Sequence, residues 1–212
     1  MPYLDSFSEL SGLDCRTMTT TEPRPPDVTW GEPRSKTLVW HDPMAIAAVG
    51  KTMTGRDFLL AMRDGAVPPP PIAAHFDFRI GHVGDGDVVF GCAPDESAYN
   101  PIGVVHGGLV CTLLDTVTGC SVHTALPAGF GYTSIEIKVN YLRPVRVIDG
   151  RPSELTAHGW VVRPGRRIVF AEGDVRDVDG RIVATASSTC LVFPLDGEEH
   201  PSAGVVRDVL TS

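Results

Sequence analysis

A chain of 212 residues with 42% apolar and 21% charged residues can build one sizeable core with a tail, or at most two small domains, and its composition is that of a soluble globular protein. The net charge of −8 argues against general nucleic-acid binding, which needs a basic surface to displace counterions from phosphate. Charge is uneven, however, because Arg143 to Arg181 holds eight arginines against six acids, so an acidic ligand is expected to dock there.

Five widely spaced cysteines (Cys15, Cys92, Cys111, Cys120, Cys190) with no Cys-x-x-Cys pair give no pattern for zinc or redox chemistry, and reduced thiols are expected. Met1 to Ser11 carries acids and no apolar core, unlike a signal peptide, and no run is long enough to cross a bilayer. The expected compartment is the cytoplasm, and no metal site is visible.

Ten of the eighteen prolines fall in the first 71 residues, a density that opposes regular sheet or long helix. Residues 1–54 read as an irregular proline-rich arm, residues 55–195 as the folded domain and 196–212 as a C-terminal tail. Asp57 to Arg63 predicts a short helix closed by Gly65, and Pro68 to Pro71 a stiff extended connector. A first strand pair is expected over 76–80 and 88–92, joined by Gly84-Asp85-Gly86-Asp87, where the glycines and aspartates read as turn chemistry rather than a metal site. From Gly107 to about Leu126 the sequence is apolar nearly all round and predicts a helix that must be wrapped. Wrapping is supplied by four runs rich in Val, Ile, Thr and Phe at about 131–143, 153–163, 166–177 and 181–193, separated by Asp149-Gly150, Pro164-Gly165 and Asp179-Gly180. Asp-Gly suits tight hairpins, and Pro-Gly fills the centre of a type II turn. In the first run Ile135, Ile137, Val139 and Tyr141 are expected on one face and Ser134, Glu136, Lys138 and Asn140 on the other. An antiparallel meander curled around one long helix is an α+β architecture.

The segment that points to chemistry is Asn100 to Asp115, where a polar loop turns through His106-Gly107-Gly108 into the apolar helix. Glycines at a helix start let a ligand approach the backbone, and the free N–H groups of the first turn favour developing negative charge, so Gly107 is a candidate oxyanion donor. Asp115 is the only acid between Glu96 and Glu136; its apolar neighbours Leu113, Leu114 and Val117 imply a partly buried carboxylate, which is costly without a purpose. Eight residues separate the two, roughly 12 Å of helix; if both act on one carbonyl, the simplest geometry sets two such helices antiparallel across a two-fold axis, with Gly107 of one subunit facing Asp115 of the other. Taken alone, His106 reads equally well as an N-cap or as a catalyst.

Asn100, His106-Gly107-Gly108, Asp115 and the alternating strand Ser134 to Tyr141 together resemble the hotdog-fold acyl-CoA thioesterases of the phenylacetate (PaaI) type, over about residues 55–193. The resemblance implies hydrolysis of an acyl-CoA to a free acid and coenzyme A by a homodimer or homotetramer, with no cofactor beyond the coenzyme A of the substrate. By position, Asp115 would attack the thioester carbonyl or activate water, Gly107 N–H would polarise that carbonyl, Asn100 would orient carbonyl or water, His106 would hold the loop or bond near the thioester, and Ser134 would help place water. Arg143, Arg163, Arg166 and Arg167, near strand ends, are candidates for coenzyme A phosphates. His75, His82, His123 and His158 read as structural or surface residues. Two other readings stay open: a non-catalytic hotdog module that binds an acyl-CoA, and a hotdog hydratase or dehydratase, whose signature is not apparent.

Overall fold

In the computed structural model, residues 29–146 and 154–195 are described. The chain divides into two units, Met1–Ser35 and Lys36–Ser212. Of the first, residues 29–35 are described and hold no regular element; everything below concerns the second. The Asp149-Gly150 turn, Cys15, most of the proline-rich arm and the 196–212 tail lie outside the described residues.

Two short helices appear where proline density predicted none. Helix α1 (Pro43–Gly50) has proline in its first turn and Asp42 as N-cap, whose carboxylate accepts from Met44 N–H at 2.8 Å. After α2 (Gly55–Arg63), Pro71 opens α3 (Pro71–Phe76) instead of extending the proline connector. Proline lacks an N–H, but the N–H groups of a helix's first turn have no intrahelical acceptor, so proline at the first position loses no hydrogen bond and can start a helix. Helix α3 takes up Phe76, and the first hairpin, β1 (Phe78–Val83) and β2 (Asp87–Cys92), starts later than expected. At its tip Gly86 adopts φ +69° and donates to Thr124 Oγ1 at 2.7 Å.

Helix α4 (Gly107–Thr124) is followed by β3 (Phe130–Tyr141), β4 (Leu155–Arg163), β5 (Ile168–Arg176) and β6 (Ile182–Pro194). All pairings are antiparallel, and the six-stranded sheet runs β1-β2-β4-β5-β6-β3. The 179–180 hairpin has the expected left-handed glycine, Gly180 at φ +77°. The 164–165 hairpin is not a type II turn, because Gly165 lies outside the left-handed region; glycine is needed there since a Cβ would overlap the Ile168 carbonyl oxygen.

The concave face of the sheet holds α4. Leu113, Leu114 and Val117 are fully buried among Val88, Phe90, Leu155, Ala157 and Val175, and Val122 and Leu126 pack on Val169, Ala171, Cys190 and Val192. Each such aliphatic side chain contributes about 1.5–3 kcal/mol by leaving water. The helix also buries Thr118, Ser121 and Thr124, whose hydroxyls donate back to Leu114, Thr118 and Ser121 carbonyls at 2.9, 2.7 and 2.7 Å, so their burial leaves no polar atom unpaired. Contrary to the expectation of a helix wrapped all round, α4 keeps one open side, where Gly108 and Asp115 are exposed and Cys111, Thr112 and Thr116 half-exposed. The residues that opened the question of function stand on that side.

Candidate active site

At the start of α4 the chain enters through His106, whose N–H donates to Ala98 O at 2.7 Å and whose Nδ1 accepts from Gly108 N–H at 2.8 Å. His106 is thus an N-cap. A neutral ring accepting at Nδ1 carries its proton on Nε2, so any donation to a ligand would come from there. Gly108 N–H is spent on the cap, whereas no acceptor among the described residues takes Gly107 N–H.

The residue that sequence reasoning missed here is Tyr141. Its hydroxyl donates to Gly107 O at 2.9 Å, and its ring lies 3.2 Å from the position a Gly107 Cβ would occupy. A side chain at Gly107 would therefore press on the Tyr141 ring, which would have to give by a few tenths of an ångström. Partial burial, with the Cys111 thiol nearby, raises the Tyr141 pKa. Tyr141 was read only as one more apolar position of an alternating strand; no local signal ties a strand tyrosine to a peptide 34 residues away. Gly107 and Tyr141 line a cleft of about 290 Å³ with Val105, Val110, Arg143 and Val183. The Arg143 guanidinium is anchored to Ile182 O.

Asn100 organises the entering loop. Its Oδ1 accepts from Ile102 and Val104 N–H at 3.1 and 3.3 Å, and its own N–H donates to Val104 O at 2.9 Å. The carbonyl of the side chain is thus committed to the loop, and only its amide NH2 can face a ligand.

Two turns along α4, Ser134 Oγ donates to Asp115 Oδ1 at 2.7 Å. A β-bulge between Ser134 and Glu136 creates this contact: Ser134 pairs with Cys190 and Glu136 with Thr189, leaving Ile135 as the extra residue. Strand parity reverses across a bulge. The predicted faces are therefore corrected, because Ser134 points to the helix along with Ile137 and Val139, while Ile135 is exposed. Asp115 is likewise not partly buried within one chain. It is exposed, since Leu113, Leu114 and Val117 turn to the sheet. Behind the pair, Cys190 is the register partner of Ser134 on β6, and burial raises its thiol pKa. Further along, Tyr132 packs against Gly119 and stands 5.5 Å, ring to ring, from His123. Burial lowers the His123 pKa to about 4, consistent with its reading as a structural residue. His158 and His82 both approach Asp87, at 2.6 and 3.6 Å.

One chain brings Gly107, His106, Asn100 and Arg143 together, and separately Asp115 and Ser134. It does not join these to Arg163, at the end of β4, or to Arg166 and Arg167, in the β4–β5 turn. That turn is level with Leu191 of β6, whereas Tyr141 pairs with Ala184, about 23 Å away at the rise of a strand. Arg163 pairs with Phe170 on the convex face of the sheet, turned away from α4.

Residues 102–184 match the family model described as the thioesterase superfamily. A Halobacterium salinarum protein with a provisional esterase name is 35% identical over 99 residues, which is 43% of this chain and 62% of that protein. Acyl-coenzyme A thioesterase 13 of Mus musculus is 26% identical over 96 residues, 45% of this chain and 65% of its own. The crystal structure of a Ralstonia eutropha protein, described as a thioesterase related to phenylacetic acid degradation, superposes with a TM-score of 0.57 at 27% identity, covering 63% of this chain and 98% of that one. The chain spans 62% and 54% of the two curated relatives matched at 35% identity. The expected α+β hotdog architecture, a central helix against a curved antiparallel sheet, is what the structure and these matches share. Among the described residues no helix is long and apolar enough to cross a membrane.

Proposed function

We propose that this chain, whose residues 102–184 form a thioesterase-superfamily domain, is an acyl-CoA thioesterase that works as a dimer. The observation that carries the reading is the Ser134–Asp115 hydrogen bond on the open side of α4: a carboxylate oriented by a hydroxyl, facing outward from an otherwise apolar helix. The name of the murine relative supports an acyl-CoA as the substrate.

In the proposed reaction, water adds to the thioester carbonyl, the C–S bond breaks, and acid and coenzyme A thiol leave. Ser134 binds Oδ1 of Asp115 and leaves Oδ2 for the reacting centre, where it takes the proton of the attacking water or attacks the carbonyl itself. The tetrahedral oxyanion needs a preorganised donor. Gly107 N–H is unspent, but its own Asp115 is roughly 12 Å along the axis, so the donor comes from a second subunit. Support for such a partner comes from β3, which is the edge of the sheet and pairs only with β6 over its 12 residues. A long edge strand without proline is a template for another strand, and two copies meeting there would lay their α4 helices antiparallel. His106 and Asn100 hold the loop that presents Gly107, with the Asn100 amide free to meet carbonyl or water. Arg143 at the cleft is a phosphate ligand for coenzyme A, joined across the dimer by Arg166 and Arg167.

Thiol release from a panel of aryl and aliphatic acyl-CoAs, comparing the wild type with Asp115→Asn and Asp115→Ala, tests this. Release that both substitutions abolish, with dimer mass and ligand binding intact, is the expected result. Saturable acyl-CoA binding with no release from any thioester would sink the reading and leave a binding module.

A further inference from the structure

The proline-rich arm contributes one segment that lies against the loop of the candidate site. Residues 36–40 form neither helix nor strand, and an extended chain turns alternate side chains to one side. Lys36, Leu38 and Trp40 all find contacts, whereas Val39 among them is 76% exposed. Both ends of the segment are fastened. Lys36 Nζ donates to Asp95 Oδ2 at 2.8 Å, and the Trp40 ring stacks on His75 of α3 with centroids 6.3 Å apart. Asp95 also accepts from Ser97 N–H at 2.8 Å and from the Ser97 hydroxyl. The Lys36 ammonium and the Ser97 hydroxyl hold the Asp95 carboxyl pKa at about 2, so this fastening stays charged at neutral pH. Leu38 is the one member of 36–40 that is not exposed. It lines a cavity of about 270 Å³ whose other walls include Phe76, Ala98 and Leu109.

We infer that this cavity receives the acyl group of the thioester, and that Leu38, from an arm outside the matched segment 102–184, sets how large an acyl group the site admits. The inference rests on the reading of Gly107 as donor to the thioester carbonyl. The place of the cavity carries the argument. Ala98 lines it and also holds the entry to α4, because its carbonyl accepts His106 N–H at 2.7 Å. Leu109, its inner wall, is 3% exposed and stands two residues beyond Gly107. The cleft of Gly107, Tyr141 and Arg143 shares no lining residue with it, so the two spaces flank the start of α4. The two substituents of a thioester carbonyl point away from each other. With coenzyme A leaving along the cleft towards Arg143, the acyl group leaves towards Ala98 and Leu109. Size and polarity then define that group. Ligand pockets commonly run from roughly 300 to 1,000 Å³, so this one is small. Its walls at Leu38, Phe76, Ala98 and Leu109 are apolar, and the Lys36 and Asp95 side chains, 40% and 46% exposed, stand at its rim. A long apolar tail would have to pass that ion pair and strip it of water. The group that fits is compact and apolar, a single ring or a short chain.

Values of kcat/KM for acetyl-, hexanoyl-, benzoyl- and dodecanoyl-CoA, compared as ratios within each protein, test the inference on the full chain. The wild type is expected to favour hexanoyl and benzoyl over acetyl and dodecanoyl, gaining about fourfold per added methylene until the cavity is full. Leu38→Trp fills the space and should lower the hexanoyl-to-acetyl ratio about tenfold, and Leu38→Ala opens the wall and should raise the dodecanoyl-to-hexanoyl ratio by a similar factor. Val39→Trp adds comparable bulk to the outward side and should leave both ratios at their wild-type values, which separates filling of the cavity from disturbance of the arm. Ratios that neither Leu38 variant moves, or that Val39→Trp moves equally, overturn the inference and leave the thioesterase reading in place. Where the wild type releases no thiol, the same ratios are read as dissociation constants by calorimetry. Shifts there keep the cavity and sink the thioesterase reading, and constants that do not respond to Leu38 overturn both.

Discussion

The side of α4 that meets the sheet and the side that stays open are built from the same 18 residues under different constraints. On the sheet side, Leu113, Leu114 and Val117 have no exposed surface, and the helix approaches β4 so closely that a Cβ on Gly159 would overlap the Val117 carbonyl. Interiors packed this way tolerate little change of volume. On the open side, Gly108, Thr112, Asp115 and Thr116 are small or polar, and Thr112 and Thr116 turn their hydroxyls back to Gly108 O and Thr112 O, both at 2.8 Å. That side gives up burial energy and gains room for a ligand or a second helix. The lesson is that stability and chemistry are separated by about half a turn of one helix, so substitutions on the two sides should fail in different assays.

The largest effect is expected from Asp115→Asn, which should lower kcat for acyl-CoA hydrolysis by about 100- to 10,000-fold while leaving the melting temperature nearly unchanged. A large loss of stability in that variant would break the division between the two sides. Leu114→Ala probes the other side. It should cost about 2–5 kcal/mol of unfolding free energy by denaturant titration, with kcat of the remaining folded protein near the wild-type value. Gly159→Ala sharpens the same point through the backbone, since one added methyl forces helix and strand apart; about 1–3 kcal/mol of destabilisation is expected.

His123 sits where the two sides meet, against Phe58 and Tyr132. Burial holds its pKa at about 4, below its ordinary 6.5. The unfolded chain therefore takes up the proton first, so this group's contribution is full above pH 6.5 and is lost as pH falls towards 4. Thermal melts between pH 7 and 4 should show that decline, of order 1–3 kcal/mol, and His123→Gln should flatten it. The smallest change is expected from Ser134→Ala, which removes one hydrogen bond to a carboxylate, about 1.5 kcal/mol or roughly tenfold in kcat. Loss comparable to that of Asp115→Asn would instead make Ser134 part of the reacting centre.

Much of this was legible before any coordinates. The α4 helix, the strand runs and the 84–87 and 179–180 turns follow from periods of 3.6 and 2 and from turn residues, which act over a few neighbours. The short helices at Pro43 and Pro71 were misread from local evidence: a proline at the first helical position is a start signal, reinforced at Pro43 by the Asp42 cap, and overall proline density masked it. The turn at Pro164-Gly165 was placed correctly but its type II assignment failed, because its glycine answers a steric demand from Ile168 and not its own dihedral preference.

The sequence by itself determined which groups are available: a single carboxylate on an apolar helix, a histidine-glycine-glycine start, and a run of antiparallel strands to receive the helix. Tertiary structure decided which of them meet. The bulge at Ile135 turns Ser134 inward to Asp115, Tyr141 closes on Gly107 across 34 residues, and the arginines divide between the two ends and two faces of the sheet. A bulge adds one residue at a point set by pairing with another strand, and pairing depends on contacts far apart in sequence, so no local pattern can place it.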